Sequence, residues 1–317
     1  MKSRKTDALP TAERVSELRS ELARKISLHL GSAEKMTTAV PGLSLHQRTG
    51  PTAPCVVAYV PGLIVMAQGS KRVELGPKTF IYDETRYLLT SLDLPSVSRV
   101  VDASQERPAL AFALKLELPV VREILMREDV PIPESSADSP AMTTGEVTAE
   151  LLSACCRLID LLATPKDVLF LSGLIQREII YRMLQCPEGA RLRAITTHGE
   201  QSHRTAQAIA WLKSNYERPL RVEELAQMAR MGISTFHHHF REMTAMSPVQ
   251  YQKQLRLQAA RAQMLTDDLD ASSAAIKVGY ESVSQFNREY SRLFGQPPMR
   301  DIRALRSSGT SPDSVRT

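Results

Sequence analysis

Two short segments near the end of the chain carry side chains suited to reading another molecule by hydrogen bonding. The first, STFHHHFR, offers Ser234, Thr235, His237, His238 and Arg241, and the second, SQFNREYSR, offers Ser284, Gln285, Asn287 and Arg288. Gln, Asn and Arg grip base edges with paired hydrogen bonds in the major groove of duplex DNA, which is wide enough to admit a helix. The segments are copies of one pattern. At an offset of fifty residues Ser234 aligns with Ser284, Phe236 with Phe286, Phe240 with Tyr290 and Pro248 with Pro298. Each aromatic pair is spaced i, i+4, so it shares one helical face and anchors that face inward, which leaves the polar side chains outward. Arg256, Arg261, Lys277 and Arg292 are candidates for phosphate contacts, which position a protein on DNA without reading its sequence. His237, His238 and His239 point about 100° apart on a helix and cannot converge on one ion, so neither a metal nor another cofactor is expected there.

These segments need elements to hold them. Upstream of each lies a short apolar-periodic helix, over 222–229 and 272–278, closed by a turn containing Gly232 or Gly279. Helix, glycine turn and helix make a helix-turn-helix unit, so the spacing predicts two of them, at about 221–243 and 270–293. A continuous helix over 249–265, with Leu255, Leu257, Ala260 and Met264 inward, would fix one reader relative to the other. Two rigidly linked readers suit successive major-groove segments on one face of the duplex.

Charge placement agrees. Residues 1–201 balance 24 Lys+Arg against 24 Asp+Glu, whereas 202–317 hold 16 against 11, so the whole net charge of +5 lies in the last third. That asymmetry points to a polyanion. No apolar run approaches the roughly 20 residues needed to cross a bilayer, and the charged start MKSRKTDALPTAERVSELRSELARKI lacks the apolar stretch of a secretory signal. The expectation is a cytoplasmic protein without a membrane partner. Cys55, Cys155, Cys156 and Cys186 show no metal or disulfide spacing, which suits a reducing compartment.

At 317 residues the chain is long enough for two folded units. The first forty residues read as a helix and lead-in, with Val15, Leu18, Leu22 and Ile26 at helical spacing. Between about 41 and 118, the β-prone runs CVVAYV, LIVMAQ, TFIY, RYLLTSL, SVSRVVDA and ALAFALKL alternate with turn residues, the pattern of an antiparallel sandwich or small barrel. Helical periodicity returns at 119–128 and, after the Pro/Ser-rich break at 131–145, at 146–162 and 170–184. The last two helices have wide apolar faces that suit core or a dimer seam. THGEQSH at 197–203 reads as a hinge, and 307–317 as a tail unable to form a core. The division is therefore 1–40, a sensor and dimerisation unit at 41–196, the hinge, a DNA-binding unit at 204–306, and the tail.

The C-terminal region resembles the AraC/XylS family of transcription regulators. The resemblance spans about 205–306 and rests on Phe240, Ser247, Pro248, Tyr251, Arg256, Leu257 and Ala260 in the first copy, and on Gly279, Tyr280, Phe286, Tyr290, Phe294, Gly295 and Pro298 in the second. Two positions depart from the family pattern. Ala245 stands where relatives usually have glycine, so that turn is expected to avoid a left-handed conformation. His238 stands where many relatives place arginine, which implies a shorter base contact. The segments VPGLSLHQRTGPTAPC, VMAQGSKRVELG and RYLLTSLDLPSVSRVVDASQERP resemble an AraC-associated sensor, which implies a cupin-like β-barrel followed by dimerisation helices. The expected fold class is thus α+β, with a double helix-turn-helix all-α C-terminal part.

What the resemblance implies is a homodimeric regulator that binds double-stranded DNA, recruits or blocks RNA polymerase, and responds to an unidentified small-molecule effector. Only His29 and His46 precede residue 197, too few for the metal cluster of a cupin enzyme. A cupin-type enzyme tethered to DNA and a non-specific architectural binder are the competing readings. Val57, Tyr59, Ile64, Met66 and Leu89 alternate inward and read mainly as core.

Overall fold

The computed structural model describes residues 11–131, 133, 140–197 and 200–307. Residues 1–10, part of the break at 131–145, and the expected tail from 308 onward lie outside them. Strands β1 (Lys35–Thr37), β2 (Leu43–Arg48), β3 (Cys55–Tyr59), β4 (Gly62–Gln68), β5 (Ser70–Leu75), β6 (Lys78–Tyr82), β7 (Arg86–Thr90), β8 (Leu94–Asp102), β9 (Ala109–Lys115) and β10 (Met142–Glu146) pair antiparallel. One sheet runs β1-β2-β9-β4-β7-β10 and the other β3-β8-β5-β6. The sheets are not closed into a barrel, so the cupin-like unit is an open two-sheet arrangement. Period-two alternation sets the inner face: in β8 Leu94, Ser96, Ser98 and Val100 are buried, while Val97, Arg99 and Val101 are not.

Helix α1 (Thr11–Leu30) covers the outer face of the larger sheet, with Leu22 and Ile26 fully buried. It also packs on α3 (Ala149–Asp160), whose N-terminus is capped by Thr148 accepting from Leu151 N at 3.2 Å. Helices α2 (Leu118–Leu125) and α4 (Pro165–Gln185) complete the layer, and both begin with proline in the first turn, where its missing N–H costs nothing. In α4, Val168, Ile179, Ile180 and Met183 are buried, but Leu169, Phe170, Leu174 and Tyr181 are exposed. The wide apolar face expected there is therefore only half covered.

Helices α5 (Ala190–Thr196) and α6 (Gln201–Ser214) flank the expected hinge. Residues 201–203 form the first turn of α6, tied back to α5 by Arg191 Nη1 donating to Ser202 Oγ at 2.7 Å and by His203 Nδ1 at 2.7 Å from Ile195 O. Residues 198 and 199 lie outside the described residues.

The C-terminal helices are α7 (Val222–Met228), α8 (Ile233–Thr244), α9 (Pro248–Thr266), α10 (Ala271–Lys277), α11 (Val283–Phe294) and α12 (Pro298–Ser307). One apolar core runs without a break from α1 through both sheets to Phe236, Phe240 and Tyr251. A second, smaller core gathers Leu257, Ala260 and Met264 with Phe286, Tyr290 and Ile302. Helix α9 contributes to both, and its Leu255, expected inward, is only partly buried.

Candidate nucleic-acid interface

The aromatic pairs set the orientation of α8 and α11. Phe236, Phe240, Phe286 and Tyr290 are fully buried, and the rings within each pair lie 5.6 Å and 5.5 Å apart. Tyr251 closes against Phe240 at 5.6 Å and Tyr280 against Phe286 at 5.3 Å. With these positions inward, successive residues rotating by about 100° place His238 on α8 and Arg288 on α11 directly opposite the core. Ser234, Thr235, His238, Arg241, Ser284, Gln285, Asn287 and Arg288 are exposed, and His237 is half-buried on the flank.

The turns before the two reading helices differ. Val278 ends α10, and Gly279 follows with φ 89°; a Cβ there would lie 2.1 Å from Glu217 O, so only glycine fits. In the first unit the left-handed residue is Arg230 at φ 54°, whereas Gly232 has an ordinary extended backbone at φ −66°. The expected role of Gly232 in the turn is therefore taken by Arg230. The second unit has one residue more between its helices, which lets Ser282 cap α11 by accepting from Gln285 N at 3.3 Å. Gly232 gives α8 no side-chain cap.

Ala245 does adopt the left-handed conformation, at φ 57° and ψ 17°, contrary to expectation. It ends α8 as Gly295 ends α11, with Ala245 N donating to Arg241 O at 2.8 Å, and Thr244 Oγ1 braces the turn by donating to Phe240 O at 2.7 Å. Ser247 and Gln250 then form a reciprocal capping box that starts α9, with Pro248 in its first turn.

Helix α9 holds the units together through side chains. Arg256 donates to Tyr216 O, Gly279 O, Glu217 O and Arg218 O at 2.7 to 3.0 Å, stapling the end of α6 to the second turn. Glu289 on α11 accepts from Lys253 at 2.6 Å, Tyr280 at 2.8 Å and Gln285 at 3.1 Å. Burial would raise that carboxyl's pKa, but the three donors hold it below the ordinary range.

Sequence comparison matches residues 39–191 to the model of the AraC-type transcriptional regulator N-terminus and residues 225–304 to that of a helix-turn-helix domain. The chain belongs to the AraC family of transcriptional regulators. Among relatives, the transcriptional activator RhaS of Yersinia pestis (strain Pestoides F) is 31% identical over 105 residues, which is 33% of this chain. RhaS of Yersinia pestis bv. Antiqua (strain Antiqua) is 30% identical over the same length. The chain spans only 38% of the length of these relatives. Apo ToxT from Vibrio cholerae strain SCE256, in a single-site variant, shares the fold with a TM-score of 0.54 at 11% identity, covering 85% of this chain and 100% of that one. Wild-type ToxT from the same strain, solved with an unsaturated fatty acid bound, gives 0.51 at 10% identity, with 82% and 94% covered.

Within this AraC-family frame, the expected phosphate contacts separate into two groups. Arg261 does not face solvent: it makes a bidentate pair with Asp301 at 2.8 and 2.9 Å and lies over Phe294 at 4.4 Å. Its side chain is 10% exposed, so the guanidinium is spent inside the second core and is unavailable to DNA. Arg256 is likewise committed to backbone carbonyls. Lys277 and Arg292 are exposed, Lys277 in a loose ion pair with Asp267 at 3.4 Å.

Sequence reasoning missed Glu242. It occupies the α8 position that Arg292 fills on α11, and it holds His238 and His239 at 3.3 Å each. The fifty-residue offset was the available signal, because it sets an acid against a base at one outward position. Arg241 and Arg292 also line a shared cleft with Gly76 and Pro77, the tip of the β5–β6 hairpin.

Proposed function

We propose that this AraC-family chain binds double-stranded DNA sequence-specifically, with α11 as the stronger reader and α8 as the weaker. Base contacts fall to Ser234, Thr235, His237, His238 and Arg241 on α8 and to Ser284, Gln285, Asn287 and Arg288 on α11, with phosphate contacts from Lys277 and Arg292. The observation that carries this reading is the placement of exposed Arg288 directly opposite the buried Phe286–Tyr290 pair. Arg288→Ala should weaken binding to a selected site by about 1–3 kcal/mol while leaving random duplex nearly unaffected. Equal losses on both duplexes in a fluorescence-anisotropy titration refute the base-reading role.

On this reading 1–40 is a lead-in, 41–196 a sensor and dimerisation unit, 197–203 a hinge, 204–306 the DNA-binding unit, and 307–317 a tail. The protein acts in the cytoplasm without catalysing a reaction, and it recruits or blocks RNA polymerase. The uncovered side of α4, with Phe170, Leu174 and Tyr181, supports a homodimer seam. Leu174→Glu should convert a dimer to monomer in sedimentation, and an unchanged mass rejects that seam.

An effector in the N-terminal unit would act through contacts that already join the two halves. Asp93, just before β8, accepts Lys213 at 2.5 Å through its carboxylate and the Tyr251 hydroxyl at 2.7 Å through its carbonyl. At the hairpin tip a Cβ on Gly76 would lie 2.6 Å from Ala245 O. A ligand that favours one arrangement of these contacts shifts the readers. Gly76→Val should pry the tip away and change DNA affinity in the absence of any ligand, and an unchanged affinity removes the hairpin from the coupling.

A further inference from the structure

Strand register gathers basic side chains inside the N-terminal unit. On β2, Ser44, His46 and Arg48 pair with Ala113, Ala111 and Ala109 of β9, so this face sets polar groups beside a row of alanines. On β5, Lys71 pairs with Tyr82 of β6 and Val100 of β8, both buried, which makes this the inward face of the smaller sheet.

The two faces meet. Burial first, then Lys71, Lys35 and Arg48, hold the His46 imidazole down at about 3. Burial and Arg48 likewise bring Lys71 down to about 8. Arg48 is answered near the surface by Glu34 at 3.0 Å, but among the described residues neither His46 nor Lys71 makes an ion pair. Two further observations mark the place as built for a guest. The buried Tyr82 hydroxyl lies beside that of Tyr59, which itself donates to Ser98 at 3.1 Å, and has no partner at hydrogen-bonding geometry. Ser44 Oγ, 2.9 Å from His46 Nε2, also lines a cavity of about 390 Å³ walled by Tyr59, Ile64, Thr90 and Ala113. Crowded cations and an orphaned hydroxyl disfavour the folded state unless something answers them, and an anion answers both.

The geometry points to an effector with an anionic head, a carboxylate held by Lys71, His46 and the Tyr82 hydroxyl, and a short apolar body lying along the alanine row toward Ile64 and Tyr59. This rests on the reading that the N-terminal unit takes a small-molecule effector. The cavity is at the small end of ligand sites, which run from about 300 to 1,000 Å³, so the body is compact. A neutral polyol, which Ser44 and Thr90 would also suit, leaves Lys71 without a counter-charge.

The test uses the full chain with hexanoate, its neutral isostere hexanamide, inorganic phosphate and glucose, read by calorimetric titration and by melting temperature at neutral pH. Hexanoate should bind about tenfold or more tightly than hexanamide, and phosphate alone should bind weakly. Lys71→Met should abolish that preference while melting no lower than the parent, since it removes a half-buried cation, and His46→Gln, which removes an imidazole that is neutral at this pH, should weaken it. Hexanamide binding as well as hexanoate, or Lys71→Met keeping the preference, overturns the anionic head. Glucose or hexanamide binding where hexanoate does not overturns the head but leaves the effector reading standing. No binding by any of the four at millimolar concentration overturns both. The comparison of hexanoate with hexanamide on the parent chain needs no variant to fold.

Discussion

Replacing Asp301 by asparagine should unfold the second reading unit rather than loosen its grip on DNA. Asp301 on α12 takes both prongs of Arg261 from α9 and also accepts from the Tyr290 hydroxyl of α11 at 2.7 Å, so three helices converge on one carboxylate. Its side chain is 8% exposed and that of Arg261 10%. Removing one partner of a buried pair costs about 3–5 kcal/mol, because the remaining charge stays where water cannot reach it. Asparagine keeps one carbonyl oxygen for Arg261 or Tyr290, which puts the loss near the lower figure, about 3 kcal/mol. For a unit of this size each kcal/mol shifts the midpoint by about 4–8 °C, so the transition involving α9 to α12 should fall by more than about 10 °C.

Arg261→Met gives the complementary measurement. It leaves Asp301 with only the Tyr290 hydroxyl and removes the guanidinium from Phe294, a stacking contribution of up to about 2 kcal/mol when desolvated. The double change Arg261→Met with Asp301→Leu should be milder than either single one, since an apolar pair of similar volume removes both charges together. Thermal unfolding by circular dichroism measures the stabilities, and anisotropy against salt measures the DNA contacts. The reasoning fails if Arg261→Met melts within about 2 °C of the parent while the slope of log K against log[salt] falls by about 0.9, the signature of one lost phosphate contact.

Ala245→Gly should raise stability by about 1 kcal/mol in denaturant titration, because glycine relieves the left-handed strain at φ 57°; a lower midpoint would show that Ala245 packs more than it strains. Glu242→Gln should tighten DNA binding severalfold by removing the one acid on the outward face of α8, and unchanged affinity on random duplex places that face away from phosphate. His46, held at about 3 when folded against an ordinary 6.5, takes up its proton first in the unfolded chain, so stability should fall as pH drops from about 6.5 toward about 3. The denaturation midpoint of His46→Gln should depend less on pH across that window than the parent's, and parallel curves would show that His46 stays open to water.

Local pattern was legible where a residue's neighbours in sequence decide its environment. The i, i+4 aromatics gave both reading helices, and the runs CVVAYV, LIVMAQ, TFIY, RYLLTSL, SVSRVVDA and ALAFALKL correspond to β3, β4, β6, β7, β8 and β9. Contacts across long separations were not legible. Arg261 looks like any surface arginine until Asp301, forty residues on, is folded against it, and Asp93 meets Tyr251 across 158 residues. Open barrel closure belongs to the same class, because strand order is decided by pairing rather than by run composition.

The strands that went unread are more informative than those that were read. In β2 the inward Ser44, His46 and Arg48 alternate with buried Leu43 and Leu45, and in β5 the inward Lys71 precedes buried Val73 and Leu75, so neither strand forms the continuous apolar run that marks β4 and β9. A sheet built only for stability would place Val or Ile there, as β8 does with Val100 beside Lys71. The polar positions that break up their apolar runs are also the ones that face the interior. A local rule broken at inward positions on both sheets, with Lys71 in no ion pair among the described residues, is what a binding site looks like before its ligand is known.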